Sequence, residues 1–383
     1  MKQGFVKVAA VTPKITVADT KENTKVICES IKEAMKQGAK VIVLPELVIT
    51  GYTCSDLFLQ EKMLREAKQA LFEIASAAFA WDCIVFVGLP LEYNGKLYNV
   101  AAAVCNGKIL GLVPKTYLPN YNEFYEARHF TRGMEEIVMV QLDEQTAVPM
   151  GKKLLFSCTT MPELKIGVEL CEDLWTPEPP SIRHARNGAT LLVNLSASDE
   201  TTGKDIYRRE LVNGQSARLL CGYIYASAGD GESTQDVVYS GHNVIAENGH
   251  ILKESERFGS GVICTEIDVK RIEAERRRMT TFEMAEDGYV EVRFSLETEE
   301  TALTRFIDPM PFVPGNEADR IRRCDEILAI QAAGLKKRLE HTHCKTAVVG
   351  ISGGLDSTLA LLVTVRAFDL LGMPHERIKA VTM

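Results

Sequence analysis

The stretch Lys-Val-Ile-Val-Leu-Pro at residues 40–45 is a short apolar run of the kind that forms a buried strand. A similar run occupies residues 5–11. Between the two, residues 22–37 place apolar side chains at helical spacing and end before Gly38, a typical C-terminal cap. The order is therefore strand, helix, strand, and a single carboxylate, Glu46, follows the second strand directly.

The same alternation continues along the chain. Further helices are expected at residues 56–79, 178–188 and 205–220, and further strands at 83–87, 100–105, 108–113, 164–169, 190–195, 222–228 and 243–247, with hairpin turns at Asn94-Gly95 and Asn106-Gly107. Strands and helices mixed in this way over residues 1–275 indicate a layered α/β domain.

The composition changes after this domain. Residues 276–316 are charged and then proline-rich, which predicts a connector, and their basic triplet at 276–278 is typical of a solvated helix face. Residues 317–383 predict a second domain of helix 317–339, strand 346–351, helix 358–371 and strand 378–383. One βαβ unit cannot close a nucleotide-binding sheet, so we expect the sequence to be a fragment of a longer protein.

Composition excludes several partners. The 383 residues carry a net charge of −8, with a pI near 5.6, so we expect no nucleic-acid partner. The ten cysteines contain no CxxC pair, which favours reduced thiols and a cytoplasmic location. The first residues predict a strand rather than a signal peptide, and no apolar run is long enough to span a bilayer, so no membrane partner is expected.

Three chemically active side chains stand at the ends of predicted strands. Glu46 follows the strand at residues 40–45, Lys115 follows the apolar run 110–114, and Cys171 follows 165–170. Sheets of α/β proteins present catalytic groups at such strand ends. Taken singly, a cysteine is more often a small core residue, and a charged residue at a strand end is often only a surface charge. The functional interpretation therefore depends on all three together.

Their chemistry is complementary. A thiol with an ordinary pKa of about 8.5 is mostly protonated at neutral pH, and Glu46 would serve as its base. Lys115 would lower the pKa of Cys171 and stabilise the oxyanion that forms when the thiolate attacks a carbonyl, with the backbone N–H of Glu172 as a second donor. His129 is the one histidine near these stretches, which argues against a Cys/His protease.

Three motifs carry a resemblance to a known family. Leu44-Pro45-Glu46, the run Pro-Lys-Thr-Tyr-Leu-Pro at 114–119 and Leu170-Cys171-Glu172-Asp173 resemble the Glu-Lys-Cys triad motifs of the nitrilase (carbon–nitrogen hydrolase) superfamily. The resemblance implies a four-layer α-β-β-α sandwich over residues 1–275. It also implies that Glu46 is the general base, Lys115 the oxyanion and orienting residue, and Cys171 the nucleophile.

The run at residues 117–126 resembles the glutamine-using branch of that superfamily. The resemblance implies that Tyr121, Ser198 and Lys204 line a glutamine pocket, with Ser198 and Lys204 binding the α-carboxylate. Glu123 and Glu172 are also expected among the residues that bind glutamine. We also expect Glu123 to be a second carboxylate that holds Lys115. The alternative for residues 198–204 is an ordinary polar loop.

A glycine-rich loop joins a strand and a helix near the end of the chain. Its sequence is Ser352-Gly353-Gly354-Leu355-Asp356-Ser357. Paired glycines let backbone N–H groups curl around an anion, and the following helix N-terminus adds a favourable dipole. Asp356 would bind magnesium on the phosphates or cap the helix. No Gly-Lys-Ser/Thr is present, so the loop is not of the Walker type.

This loop resembles the pyrophosphate-releasing ATPase signature of adenylating amidotransferases and implies a Rossmann-like adenine nucleotide alpha-hydrolase domain. A nitrilase-like glutaminase followed by this loop resembles the family of glutamine-dependent NAD+ synthetases. The resemblance implies glutamine hydrolysis through a Cys171 thioester, and amidation of adenylated deamido-NAD+ by the ammonia, giving NAD+, AMP and pyrophosphate. ATP would be the co-substrate and Mg the ion of the synthetase domain, with no tightly bound prosthetic group. The protein would form a homo-oligomer. The present sequence is expected to retain only the glutaminase half.

Two alternatives stay open from the sequence. One is a stand-alone amidase for another small amide or carbamoyl compound, against which the glycine-rich loop argues. The other is a non-catalytic assembly module, against which the presence of all three triad residues argues.

Overall fold

The computed structural model describes residues 1–382, in two compact units: Met1–Arg305 and a second unit that begins at Phe306. The strands are β1 (Phe5–Thr12), β2 (Val41–Val43), β3 (Ile84–Tyr93), β4 (Lys96–Cys105), β5 (Lys108–Pro114), β6 (Val138–Gln141), β7 (Ala147–Met150), β8 (Leu154–Cys158), β9 (Lys165–Leu170), β10 (Leu191–Ser196), β11 (Gly222–Ser227), β12 (Val244–Glu247), β13 (His250–Glu254), β14 (Gly261–Asp268), β15 (Val290–Phe294), β16 (Ala347–Ile351) and β17 (Ile378–Thr382). The helices are α1 (Thr20–Lys36), α2 (Glu61–Ala77), α3 (Pro180–Arg186), α4 (Lys204–Arg218), α5 (Val269–Arg278), α6 (Glu317–Thr342) and α7 (Leu355–Leu371).

Eight strands form the first sheet in the order β14-β1-β2-β3-β4-β5-β7-β6. Strands β1, β2 and β3 run parallel, as the strand-helix-strand pattern predicts. The predicted hairpin between β3 and β4 is confirmed: Asn94 and Gly95 take φ values of 50° and 68°, the positive angles that a tight type I′ turn needs. Helices α1 and α2 cover the outer face of this sheet through apolar side chains such as Ile27 and Leu71.

Seven strands form the second sheet in the order β13-β12-β11-β10-β9-β8-β15. Its centre is parallel, because β9, β10 and β11 run in the same direction. Helices α3 and α4 cover its outer face, and Leu192, Val212 and Tyr225 contribute to the core between them. The carboxyl ends of β9 and β10 therefore lie side by side.

The two sheets pack face to face. Their shared core contains the edge-to-face pair Phe86 and Phe156, whose ring centroids are 5.5 Å apart, together with buried aliphatic side chains from both sheets. The layers are therefore helix, sheet, sheet, helix. The prediction of a four-layer α-β-β-α sandwich is confirmed.

The strands that sequence analysis did not predict are β6, β7, β8, β13, β14 and β15, and α5 was not predicted either. Several are short or lie at sheet edges with one exposed side, so they lack a continuous apolar run, and β7 contains Pro149. The helix predicted at 56–79 begins as a single 3₁₀ turn, Ser55–Leu59, and α2 follows at Glu61.

The first compact unit continues past the predicted domain end at residue 275. Strand β15 pairs in parallel with β8, and Arg305 forms a bidentate ion pair with the buried Glu247 at 2.9 and 3.1 Å. Residues 276–305, which the sequence assigns to the connector, therefore belong to the sandwich. Their polar composition is explained by an edge strand, β15, and by the ion-paired segment that ends at Arg305.

Arg276 does not lie on the solvated helix face that the sequence suggested. Its guanidinium donates hydrogen bonds to the carbonyl oxygens of Ala189 (2.7 Å), Leu219 (3.0 Å) and Leu220 (2.9 Å). These oxygens lie in the chain before β10 and in the turn that follows α4, so Arg276 ties α5 to the second sheet.

The second unit contains α6, β16, α7 and β17, and the two strands pair in parallel. Leu339, Ala367 and Phe368 form its small core. The predicted βαβ unit is confirmed to residue 382; Met383, the last residue of the predicted strand 378–383, lies outside the described residues. Helix α7 begins at Leu355 rather than at residue 358, so half of the glycine-rich loop forms its first turn.

Among the described residues, none of the helices combines the length and the apolar character that a membrane span requires.

Candidate active site

The sandwich brings together three predicted side chains that follow strands of both sheets. Glu46 follows β2, Lys115 follows β5, and Cys171 begins a 3₁₀ turn directly after β9. The three residues are 0%, 1% and 5% exposed, respectively. Such burial of two charged groups is tolerated only when they are paired, and they are.

Lys115 lies between two carboxylates. Its Nζ donates to Glu46 Oε1 at 2.6 Å and to Glu126 Oε1 at 2.5 Å. Burial opposes the charge of Lys115, but the Glu126 and Glu46 carboxylates prevail and hold its pKa well above the ordinary value. The ammonium group is therefore a fixed positive charge inside the site.

The second carboxylate on Lys115 is Glu126, not Glu123 as the sequence suggested. Glu126 is buried and also accepts a hydrogen bond from the Tyr52 hydroxyl at 2.7 Å, whereas Glu123 is exposed. Burial raises the pKa of Glu126 to about 7, although the neighbouring Lys115 ammonium favours its ionised form. The expected contact is corrected because the loop turns between the two residues and directs the later one inward.

Glu46 is held on three sides. Besides Lys115, its Oε1 accepts from Asn99 Nδ2 at 2.6 Å, and its Oε2 accepts from the backbone N–H of Ala197 at 3.1 Å. The turn that carries Glu46 also packs against Gly88 of β3, where a Cβ would collide with the backbone N of Leu47. The position of the carboxylate is therefore set by close backbone packing as well as by hydrogen bonds.

Cys171 has a left-handed backbone conformation, with φ +41°. Burial raises the pKa of its thiol, the Glu46 carboxylate raises it further, and the Lys115 ammonium lowers it. The resting group is thus a neutral thiol beside a carboxylate and an ammonium. This arrangement suits a nucleophile that loses its proton to a neighbouring base as it reacts.

Asp173 connects the strand ends that carry Lys115 and Cys171. Its carboxylate accepts from the backbone N–H groups of Thr116 (3.2 Å), Tyr117 (2.8 Å) and Leu170 (3.0 Å). The two catalytic strand ends are therefore fixed to each other through one buried side chain.

The residues expected in a glutamine pocket lie in two pairs. The Tyr121 hydroxyl donates to Glu172 Oε1 at 2.8 Å. Lys204 pairs with Asp199, and its ammonium lies 5.5 Å from the ring centroid of Trp175.

The Glu172 carboxylate belongs to the first pair and is also influenced by the Lys204 ammonium of the second. Burial raises the pKa of Glu172, while the Tyr121 hydrogen bond and the charges of Lys115 and Lys204 lower it. Ser198 is buried and accepts from Arg208 Nη2 at 3.3 Å. Tyr121 and Lys204 therefore lie near Glu172, whereas the Ser198 hydroxyl is buried against Arg208.

A cavity of about 80 Å³ reaches Glu126, the second carboxylate on Lys115, but is not lined by Glu46, Lys115 or Cys171. Its lining includes Tyr52, Glu126, His129 and Tyr239. There is room for a few water-sized molecules next to the Glu126 carboxylate.

The glycine-rich loop lies in the second unit. Gly353 has φ +84°, a conformation that favours glycine, and the Ser352 and Ser357 hydroxyl oxygens are 3.4 Å apart. Gly354 occupies the N-cap position of α7, so Asp356 lies inside the first turn and does not cap the helix. The backbone N–H groups of this first turn form the kind of helix terminus that binds phosphate.

Three site residues escaped the sequence analysis: Asn99, Glu126 and Asn194. Asn99 and Asn194 are polar residues inside otherwise apolar strands, and such an interruption is the signal that identifies them. Glu126 is the last residue of the run 117–126 and has no comparable signal.

Comparison with known proteins gives two family matches. A model described as carbon-nitrogen hydrolase matches residues 7–277, and a model described as NAD synthase matches residues 327–383. A glutamine-dependent NAD(+) synthetase of Mycobacterium tuberculosis is 37% identical over 390 residues, covering 99% of this chain and 57% of that protein. The chain thus spans little more than half the length of this relative.

Solved structures that resemble the chain include a synthetase and a nitrilase-superfamily member. A glutamine-dependent NAD(+) synthetase from Cytophaga hutchinsonii aligns with a TM-score of 0.62 and 26% identity, covering 95% of this chain and 52% of that one. A member of branch 10 of the nitrilase superfamily from Saccharomyces cerevisiae aligns with a TM-score of 0.56 and 21% identity, covering 73% of this chain and 95% of that one. The second likeness is one of fold.

Proposed function

Because this chain belongs to the carbon-nitrogen hydrolase family, we propose that its first compact unit hydrolyses the side-chain amide of glutamine to glutamate and ammonia. The observation that carries the proposal is the buried cluster in which Lys115 lies 2.6 Å from Glu46, with Cys171 at the end of a strand of the other sheet. A thiol, a base and a fixed cation are the groups that acyl transfer from an amide requires.

In the first step, Cys171 Sγ attacks the amide carbon and its proton passes to Glu46. The negative charge that develops on the carbonyl oxygen is stabilised by the Lys115 ammonium and by the backbone N–H of Glu172. The tetrahedral intermediate then breaks its C–N bond, and the proton held by Glu46 leaves with the nitrogen as ammonia. The product is a γ-glutamyl thioester on Cys171.

In the second step, a water molecule attacks the thioester carbon and gives a proton to Glu46. The C–S bond breaks, glutamate leaves, and the proton returns to Cys171. Glu46 therefore acts alternately as base and acid, which explains why both of its oxygens are fixed by hydrogen bonds from Asn99 and Ala197.

Glutamine is proposed as the substrate because charged and polar groups that match an amino acid lie around Glu172, the residue after the nucleophile. Lys204 and the hydroxyl of Ser198 would bind the α-carboxylate. Tyr121 and Glu172, joined at 2.8 Å, would contact the rest of the substrate.

We propose further that the full-length protein uses the ammonia in an ATP-dependent amidation of deamido-NAD+, releasing AMP and pyrophosphate. The match to the NAD synthase model and the name of the M. tuberculosis relative support this. The glycine-rich loop, residues 352–357, would hold the ATP phosphates. Asp356 and the two serine hydroxyls would hold a magnesium ion there, since Mg²⁺ at phosphate sites commonly takes one or two carboxylates. The ion would neutralise phosphate charge.

Two finer points complete the proposal. The reaction would take place in the cytoplasm, where free thiols such as the ten of this chain persist. The protein would also assemble as a homo-oligomer, which light scattering of the full-length protein would show.

The test is ammonia release from glutamine by this chain and by its Cys171→Ala variant. We expect release by the parent chain and none by the variant. If asparagine or a carbamoyl compound were consumed faster than glutamine, the substrate assignment would be wrong. For the second half, the full-length protein should form NAD+ from deamido-NAD+, ATP and glutamine, and failure to do so would refute the synthetase proposal alone.

A further inference from the structure

The backbone of the nucleophile is strained. Cys171 takes φ +41° at the first residue of the turn Cys171–Leu174. A residue with a Cβ adopts this region at a cost and keeps it only where surrounding contacts impose it. The backbone N–H of Cys171 is bound by a side chain outside the catalytic triad.

This side chain is that of Asn194, a fully buried residue of β10. Its Oδ1 accepts a hydrogen bond from the backbone N–H of Cys171 at 3.0 Å and another from the Ser196 hydroxyl at 2.7 Å. Its Nδ2 donates to the hydroxyl of Tyr223 at 3.2 Å. The carboxamide therefore holds the strained residue without touching the thiol.

The orientation of this carboxamide is fixed by its hydrogen bond to Tyr223. The Tyr223 hydroxyl gives its single proton to Glu169, so toward Asn194 it presents lone pairs and selects the NH₂ end. Glu169 in turn accepts from the backbone N–H of Ser181 at 2.8 Å, at the start of α3. The oxygen of Asn194 consequently faces Cys171.

The same short stretch of β10 also positions the base. The backbone N–H of Glu46 donates to the carbonyl oxygen of Ser196 at 3.3 Å, and the N–H of Ala197 donates to Glu46 Oε2 at 3.1 Å. Residues 194–197 therefore contact both the backbone of the nucleophile and the carboxylate that takes its proton.

We propose that Asn194 is a positioning residue: its carboxamide holds Cys171 in the left-handed conformation and so sets the thiol against Glu46. The expectation for turnover rests on the proposed glutaminase function. The expectation for thiol reactivity does not, because it needs no substrate.

The test replaces Asn194 by Leu, which has a similar shape but no acceptor. The chain offers a matched control in Asn243, another buried asparagine, whose Oδ1 accepts from the backbone N–H of Ser227 at 2.8 Å and whose Nδ2 donates to Thr12 at 2.8 Å. Asn243→Leu removes the same kind of bonds without touching the Cys171 turn. Both variants are measured for thermal stability, for kcat and KM with glutamine, and for alkylation of Cys171 by iodoacetamide, resolved by peptide mass spectrometry.

We expect comparable losses of stability. We also expect kcat of the Asn194→Leu variant to fall about 100-fold with KM changed less than about threefold, since a misplaced reacting group costs rate more than binding. Alkylation of Cys171 should slow about tenfold or more in this variant and stay near the parent rate in Asn243→Leu. Equal losses of activity and alkylation in the two variants would show that Asn194 is merely structural.

Asn194→Asp gives a second test should the Leu variant fail to fold. A buried aspartic acid is neutral at lower pH and then keeps both an acceptor and a donor, whereas at higher pH it ionises beside Cys171. We expect its kcat to lie within about fivefold of the parent near pH 6 and to fall more than tenfold below it near pH 8.5. A pH profile that superimposes on that of the parent would overturn the proposal. If the parent released no ammonia from glutamine, the glutaminase proposal would fail, and the pH dependence of Cys171 alkylation would still decide the role of Asn194.

Discussion

Replacing Glu126 by Gln removes one of the two carboxylates that hold the Lys115 ammonium, while side-chain size and the acceptor for the Tyr52 hydroxyl are kept. The bond that changes is the 2.5 Å contact between Lys115 Nζ and Glu126 Oε1. Lys115 keeps its 2.6 Å contact with Glu46, and the glutamine oxygen still accepts its hydrogen bond, but the second negative charge beside the ammonium is lost. We expect the pKa of Lys115 to fall and its ammonium to be less well positioned for the oxyanion.

The size of the effect follows from the burial of the pair. Breaking a buried ion pair and leaving an unpaired charge costs roughly 3–5 kcal/mol. Because Glu46 remains, we expect a smaller loss of transition-state stabilisation, about 2–3 kcal/mol. At about 1.4 kcal/mol for each factor of ten, kcat should fall roughly 100-fold.

The assay is the rate of ammonia release from glutamine as a function of pH, with Glu123→Gln as the matched control. Burial raises the pKa of Glu126 to about 7, so the ionised form that holds Lys115 is lost as the pH falls below that value. The activity of the parent chain should therefore decline toward lower pH through about 7, and the Glu126→Gln variant should lack this limb. Glu123→Gln, at an exposed position, should stay within about threefold of the parent. A larger loss in Glu123→Gln than in Glu126→Gln would refute the geometric assignment.

Two further outcomes follow from the packing around the site. Gly88→Ala would place a Cβ 2.7 Å from the carbonyl oxygen before Glu46, so we expect about 1–3 kcal/mol of destabilisation and at least a tenfold lower kcat. Gly111→Ala, whose Cβ would meet no atom closer than 3.3 Å, should cost less stability and leave kcat near the parent value. Equal melting temperatures and equal kcat values for the two variants would contradict this. Glu232 is buried and accepts the backbone N–H of Tyr52 at 2.8 Å, and burial raises its pKa from 4.5 to about 7. The folded state therefore binds its proton more tightly, and the stability from this residue is present below pH 4.5 and lost as the pH rises through 7, about 3 kcal/mol in all. Urea unfolding at pH 5 and pH 8 should show that Glu232→Gln removes this difference, and an unchanged pH dependence would refute it.

The sequence could predict the features that local chemistry determines. The Asn94-Gly95 hairpin follows from the positive φ values that only a few residues adopt easily. Glu46, Lys115 and Cys171 could be found because each directly follows an apolar strand, and strand ends in these sheets meet at one edge. The alternation of strands and helices predicts a layered α/β domain, whereas the two stacked sheets follow only from the resemblance to the nitrilase superfamily.

Features that depend on the path of the chain in space could not be predicted from the sequence. Glu123 and Glu126 are three residues apart in a loop without periodic structure, and only the course of that loop decides which one is buried beside Lys115. Asn194 reaches Cys171 from the adjacent strand β10, a pairing that no local pattern encodes. The first unit extends to Arg305 because a distant carboxylate, Glu247, binds that residue.

The central claim is that Cys171 forms a covalent γ-glutamyl thioester, and acid quenching during turnover of glutamine, followed by peptide mass spectrometry, tests it most directly. We expect the mass of a γ-glutamyl group on the peptide that contains Cys171, its removal by hydroxylamine, and no such adduct in the Cys171→Ala variant. Ammonia release by the parent chain with Cys171 unmodified, or an adduct on a different cysteine, would contradict the account.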